Sequence, residues 1–296
     1  MSGHPLDASR AKVGQADDDL AGLNELIQGI LDSGPYELVP EFDPHTRQNT
    51  VRAKRVADLP LIKWGTRIGR IAHDLRSALN YVVTELVRNV GGTPSRTHEF
   101  PIFNDSALFS ERDKEGRPTS RSGLAKIAGI GPDPAALIEG LQPYHGADIP
   151  PNIPPGAIVS SALWDLHELN RVDKHQELIA PVPIIKNVTV FSAPSATVDY
   201  HVTPGPLEDD AVLLRWTEPA IGEDLQSTFM SVHVPRNAPR ITFTPAPNVH
   251  VPVDANFTFD VAFSETGPMQ GGLVVESLSQ IIRAVGVKIE LFAPFF

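Results

Sequence analysis

Two helices of this chain carry the side chains best suited to chemistry. Along Thr66–Val90 (TRIGRIAHDLRSALNYVVTELVRNV), His73, Arg76 and Asn80 share one edge. Along residues 156–179 (GAIVSSALWDLHELNRVDKHQELI), Asn170, Asp173, Lys174 and His175 cluster near the end. Histidine passes protons near neutral pH, and arginine stabilises an oxyanion. His73, Arg76 and His175 are therefore the candidate catalytic residues, suited to phosphodiester cleavage by a ribose 2′-hydroxyl. Asn80, Asn170, Asp173 and Lys174 are candidate binding residues beside them.

The helices that position these groups follow from periodicity. Ile68, Ala72, Leu75, Leu79, Val82 and Leu86 recur at steps of three and four, as an amphipathic helix requires. At roughly 100° per residue, Arg76 falls inside the apolar arc, with His73 and Asn80 on its border. A charge in that position needs a partner, because an unpaired buried charge is costly. On the second helix the inward stripe runs Val159, Leu163, Leu166 and then Asn170 and Asp173. If the two helices pack antiparallel, Arg76 and Asp173 form a charge-assisted pair.

Geometry separates the last residue from that set. In a continuous helix His175 points about 160° from Asp173, after two steps of 100°. Either the helix unwinds after Val172, or His175 serves another surface, such as one met by a second copy in a homodimer. The same polar residues are equally open to a second reading, a lock that fixes the register of a bundle without chemistry.

Composition sets the frame. The chain has 296 residues, 41% hydrophobic and 21% charged, ordinary values for a soluble globular protein. No apolar run approaches the ~18 residues of a membrane span, and the first residues lack the apolar core of a signal peptide. The expectation is a cytoplasmic protein with no membrane partner. Zero cysteines exclude disulfides and thiol nucleophiles. Net charge is −11, yet His45–Arg76 holds eight Lys/Arg (Arg47, Arg52, Lys54, Arg55, Lys63, Arg67, Arg70, Arg76) against Asp58 and Asp74. Such a basic patch on an acidic body suits an anionic ligand or RNA, with Arg52, Lys54, Arg55, Arg67 and Arg70 as the binding residues. It also fits a merely solvated hairpin.

Other chemistry finds little footing. There is no HExxH, no phosphate-cradling GxGxxG or GxxxxGK[ST], and no nucleophile-elbow setting for Ser77. No metal or cofactor is expected. His167 reads as part of a wet helix face, and Trp64 and Trp164 as core or boundary aromatics.

The remaining elements are a first helix over residues 8–32, strands at Tyr36–Phe42 and Thr50–Ala57 around DPHTRQN, and a short helix at Pro134–Leu141. From Pro181 the pattern changes to period two (NVTVFS, VDYHV, AVLLRW, STFMSVHV, RITFT, NFTFDVAF), an antiparallel sheet. A last helix after Gly271-Gly272 either covers that sheet or docks on the first helices. The fold class is α+β: a helical bundle with an inserted β-hairpin over residues 1–180, then an antiparallel sheet and closing helix over 181–296, as two domains or one continuous globule.

The pieces IGRIAHDLRSALNYVV, HEFPIF, LQPYHG and LHELNRVDKHQEL resemble an uncharacterised family of bacterial proteins. Its members carry a helix of the form IGDxxHNLRSALDH, then FPI, LQPY and a helix ending NxxDKHR. The resemblance covers roughly residues 8–180 and sets His73, Leu75, Arg76, Ser77, Ala78, Leu79, Asn170, Asp173, Lys174 and His175 on motif positions. The chain departs at Arg70 and Asn80, where members have Asp, at Tyr81, where they have His, and at Gln176, where they have Arg. A looser likeness is to HEPN domains, helical bundles that often act as metal-independent RNases in toxin and phage-defence systems. Their signature sets four to six residues between Arg and His, whereas Arg171 to His175 leaves three between, so the signature is not met.

Two functions follow as expectations. The first is a soluble binding or regulatory protein with a polar Arg/Asp/His helix seam and a basic patch for an anionic partner. The alternative is a HEPN-like, metal-independent RNase.

Overall fold

Steps of three and four between apolar residues turn Asp7–Asp32 (α1) and Leu61–Asn89 (α2) into amphipathic helices. The computed structural model describes residues 3–146, 160–174, 179, 181–192, 197–199, 207–217, 240–242, 253–264 and 269–296. On α2 the face bearing Trp64, Ile68, Ile71, Leu75, Leu79, Val82 and Leu86 is buried. The helix ends in a Schellman turn. Gly91, at φ +78°, donates from its N–H to Arg88 O, and Gly92 donates to Val87 O, both at 2.9 Å. A side chain at Gly91 would strain that left-handed residue.

The chain divides into two compact units, and the partition interleaves them. The first comprises Met1–Asn24, Ile62–Ala180 and Gly267–Phe296; the second comprises Glu25–Leu61 and Pro181–Thr266. The expected division at residue 180 differs from this in two places. The hairpin belongs with the later strands, because its second strand finds a partner there. The closing helix belongs with the first helices, because that is where its apolar face is buried.

In the first unit α1 meets α2 through Lys12 Nζ–Asp74 Oδ1 at 2.6 Å and Arg70 Nε–Asp19 Oδ2 at 3.1 Å. The closing helix Val274–Glu290 (α7) is tied to α1 by two 2.8 Å bonds from Arg10 to Glu290. It buries Val274, Leu278, Ile281, Val285 and Ile289, and packs against the helix Ser160–Lys174 (α6). Between α2 and α6 lie short helices at Ser106–Phe109 (α3), Gly123–Lys126 (α4) and Pro132–Gly140 (α5), then a 3-10 turn at Pro143–His145. Asp105 caps α3 and Ser122 caps α4.

In the second unit Tyr36–Asp43 (β1) and Gln48–Arg55 (β2) form the expected antiparallel hairpin. Also described are Pro181–Ser192 (β3), Thr197–Asp199 (β4), Ala211–Thr217 (β5), Arg240–Thr242 (β6) and Val253–Phe263 (β7). One sheet runs β1-β2-β5-β4 and the other β3-β7-β6, with every described pairing antiparallel. Tyr36, Val51, Ala53, Leu213, Leu214 and Phe257 share one core, where Tyr36 stacks on Phe259 at 5.4 Å. The segment STFMSVHV lies outside the described residues. The fold is α+β, with the hairpin inserted after the first helix.

Candidate functional site

Leaving α2, the chain passes Glu99–Phe103 as an extended segment that is not part of a sheet. Phe100 and Ile102 bury their side chains, so the backbone groups beside them need partners. Side chains supply those partners. Asn80 Oδ1 accepts from Phe100 N at 3.0 Å, and Arg76 Nη2 donates to Phe100 O at 2.5 Å. One helical turn thus separates the two residues that grip both polar groups of Phe100. Further along, Gln142 Oε1 accepts from Phe103 N at 3.0 Å, while its Nε2 donates to Pro101 O at 2.9 Å and Ile138 O at 2.8 Å. Pro101 has no N–H to satisfy, so it fits between the two grips.

Arg76 is only 7% exposed. Burial pulls its pKa down to about 10, against an opposing effect of the Glu99 charge, so the guanidinium remains protonated at neutral pH. Glu99 is itself held by Lys126 Nζ at 3.1 Å. The second terminal nitrogen of Arg76, Nη1, is buried and has no hydrogen-bond partner among the described residues. The carbonyl oxygen of the Asn170 side chain, in a residue 6% exposed, is in the same condition.

One close approach places α6 against α2. A Cβ built at Gly69 would lie 2.1 Å from Asp173 Oδ1, so the carboxylate rests against bare backbone near the start of α2. Nearly two turns back on α6, His167 is held below the usual imidazole range, first by burial and then by the charge of Arg76. The expected Arg76–Asp173 pair does not form. Gly69 precedes Arg76 by seven residues, about 10 Å along the axis. Asp173 is exposed, and the guanidinium turns instead to Phe100 O.

No family model, curated protein or solved structure matches the chain. The remaining candidates therefore rest on geometry alone. His73 is exposed on α2 and has no hydrogen bond or ion pair to Arg76 among the described residues. Lys174 is the last residue of α6, and His175 lies outside the described residues. The basic stretch is divided and partly neutralised. Arg52, in the second unit, pairs with Glu41 at 2.9 Å and Asp210 at 3.4 Å; Arg70, in the first, pairs with Asp19. Arg67 sits over Gly22, with Nη1 3.3 Å from where a Cβ would be. Lys54 and Arg55 are exposed at the end of β2, without an ion pair among the described residues. No helix among the described residues is long and apolar enough to cross a membrane. Nor does any group of three or more potential metal ligands gather among them.

His167 differs from the wet-face expectation: it is half-buried and stacks on Trp164 with centroids 5.1 Å apart and planes 24° apart. Three further polar features escaped the sequence reading. Gln142 was visible within LQPYHG, but only a folded chain shows that it grips the segment containing FPI. Asp74, 5% exposed, is answered by Lys12. Glu139 Oε1 accepts from Tyr144 Oη at 2.9 Å and lies 3.0 Å from His145 Nε2. Burial and that carboxylate raise the Tyr144 pKa and keep the phenol protonated.

Proposed function

We propose that this chain is a binding or regulatory protein for an anionic partner, centred on Arg76 rather than on the basic stretch. One comparison within the first unit carries this reading. Gln142 secures Pro101 and Phe103 with a neutral amide, so gripping an extended segment does not require a charge. Arg76 performs the adjacent grip with a cation that remains protonated although 7% exposed, and its Nη1 has no hydrogen-bond partner among the described residues. Burying a guanidinium costs several kcal/mol that an amide would avoid. Charge beyond structural need, with a free donor attached, is the property of a site that meets a negative ligand.

The HEPN-like RNase reading has weaker support. It draws on the motif resemblance, and it needs a histidine beside a guanidinium that a phosphodiester can reach. The test incubates wild-type protein and His73→Ala with mixed RNA in EDTA, and follows melting temperature during titration with small anions at constant ionic strength. The binding reading expects equal RNA integrity for both proteins and an anion-dependent rise in melting temperature. Cleavage by wild type beyond His73→Ala would favour the RNase, and indifference to every anion would remove the binding reading.

A further inference from the structure

Glu139 and His145 stand at the two ends of a turn whose middle is fixed. Glu139 is the last but one residue of α5, and His145 ends the 3-10 turn Pro143–His145. Between them Gln142 is anchored on Pro101 O and Phe103 N, while its own N–H donates to Glu139 O at 3.1 Å. Pro143 then sets φ at the start of the turn, and His145 N donates to Gln142 O at 3.2 Å. That backbone holds Glu139 Oε1 3.0 Å from His145 Nε2 and 2.9 Å from Tyr144 Oη. The side chains of Glu139 and His145 are 44% and 30% exposed, so the pair stands at the surface. The Tyr144 ring lies 4.7 Å from the imidazole and meets the buried Phe109 ring edge-on at 6.0 Å, a packed apolar backing for the pair.

A carboxylate accepts hydrogen bonds and does not donate them, so the hydrogen-bond pattern assigns the imidazole proton to Nε2. Nδ1 of the neutral ring is then a bare lone pair. It has no hydrogen bond among the described residues and is not one of their sealed, unpartnered atoms, so it meets solvent. We propose that His145 Nδ1, oriented by Glu139, is a general base for the hydrolysis of small neutral esters. Water attacks the ester carbonyl and gives a proton to Nδ1. The alkoxide or phenoxide that leaves as the C–O bond breaks takes that proton back. Ester and water thus become acid and alcohol, and the imidazole is restored. The imidazolium formed between those steps lies beside the Glu139 carboxylate, which stabilises it. Tyr144 is a positioning residue, because its phenol donates to the same oxygen and holds Glu139 in place. The carboxylate repels an anionic substrate and the Tyr144 ring suits an apolar one, which together select neutral esters. The assignment is independent of the anion centre at Arg76.

Full-length protein is given p-nitrophenyl acetate at neutral pH, and release of p-nitrophenolate is followed. Wild type should exceed buffer, and His145→Gln should lose about 10²-fold of that excess, although the other nine of the ten histidines remain. Glu139→Gln keeps an accepting oxygen without the charge and should lose about tenfold or more. Long-range 1H–15N spectra of His145 read the tautomer directly. Nε2–H should be nearly complete in wild type and mixed in Glu139→Gln and Tyr144→Phe, in step with the rate. 4-Acetoxy-3-nitrobenzoate, an ester that carries a carboxylate, should gain less over its buffer rate than p-nitrophenyl acetate does. Equal rates for wild type and His145→Gln, or no rate above buffer, would overturn the site. A neutral His145 protonated on Nδ1 would remove that atom as the base. Equal gains for the neutral and the anionic ester would overturn the substrate class.

Discussion

Arg76 and Phe100 are joined by a 2.5 Å hydrogen bond from the guanidinium Nη2 to a backbone carbonyl. Asn80, one turn along the same helix, accepts from the N–H of that same Phe100 at 3.0 Å. Two polar residues of α2 thus act on a neighbouring stretch of backbone, and the other terminal nitrogen of Arg76 is left without a hydrogen-bond partner among the described residues. Phe100 in turn meets Phe292 edge-on at 6.3 Å, which links the gripped segment to the end of the chain.

Asn80→Ala leaves the buried Phe100 N–H without its acceptor and should cost about 1–3 kcal/mol in chemical denaturation. Because Arg76 holds the other polar group of the same residue, the losses in Asn80→Ala and Arg76→Met should not add. A double-mutant cycle should return a coupling of about 0.5–3 kcal/mol. Strict additivity would show that the two side chains act on separate structures.

Gln142→Leu keeps much of the volume but removes the partners of Phe103 N, Pro101 O and Ile138 O. The expected loss is about 2–4 kcal/mol, more than one ordinary hydrogen bond contributes, because several groups are left buried and unsatisfied. Equilibrium unfolding in urea measures it. A loss below about 0.5 kcal/mol, typical of an inert surface site, would show that Gln142 is not needed to hold the segment.

Gly69→Ala gains helix propensity of about 1 kcal/mol but drives a Cβ into the Asp173 carboxylate. In wild type the two effects oppose each other. In an Asp173→Ala background the clash is gone, and Gly69→Ala should stabilise by about 1 kcal/mol. Equal effects of Gly69→Ala in the two backgrounds would contradict the close approach of α6 to α2.

Stability should also rise in mildly alkaline solution. Lys288 on α7 is 1% exposed, and burial lowers its pKa from 10.5 to about 8. Between those two values the unfolded chain binds more protons than the folded one, so unfolding free energy increases with pH. The opposition from this buried charge is fully present below pH 8 and disappears by about pH 10.5, a difference of about 3 kcal/mol from the size of the shift. Lys288→Met should flatten the rise in urea unfolding followed across that window. An unchanged slope in the variant would place its origin elsewhere.

Much of the fold is legible in local pattern, and the failures are failures of long-range pairing. Periodicity alone places Arg76 inside the apolar arc of α2 and sets α1, α2, the hairpin and α7 close to where they are found. It gives no information on what meets them. The carboxylate expected opposite Arg76 is replaced by a backbone carbonyl 24 residues away, whose need for a donor arises only when FPIF folds in as extended chain. The destination of β2 is equally hidden, because its partner β5 lies more than 150 residues later. His73 stood at the border of the helical arc, and a border position does not decide between solvent and site; here it is exposed. For α7 the apolar face was readable, and its choice of the first helices over the sheet depended on Glu290 finding Arg10 and Phe292 finding Phe100.

The most direct measurement compares unfolding free energies of Arg76→Met and Asp173→Ala. With the guanidinium engaged to Phe100 and the carboxylate exposed, Arg76→Met should cost about 3 kcal/mol through the backbone group it abandons. Asp173→Ala should stay within about 0.5 kcal/mol of wild type. Equal large losses in both variants would mean that the two side chains form one buried pair, and would contradict the grip on Phe100 as the role of Arg76.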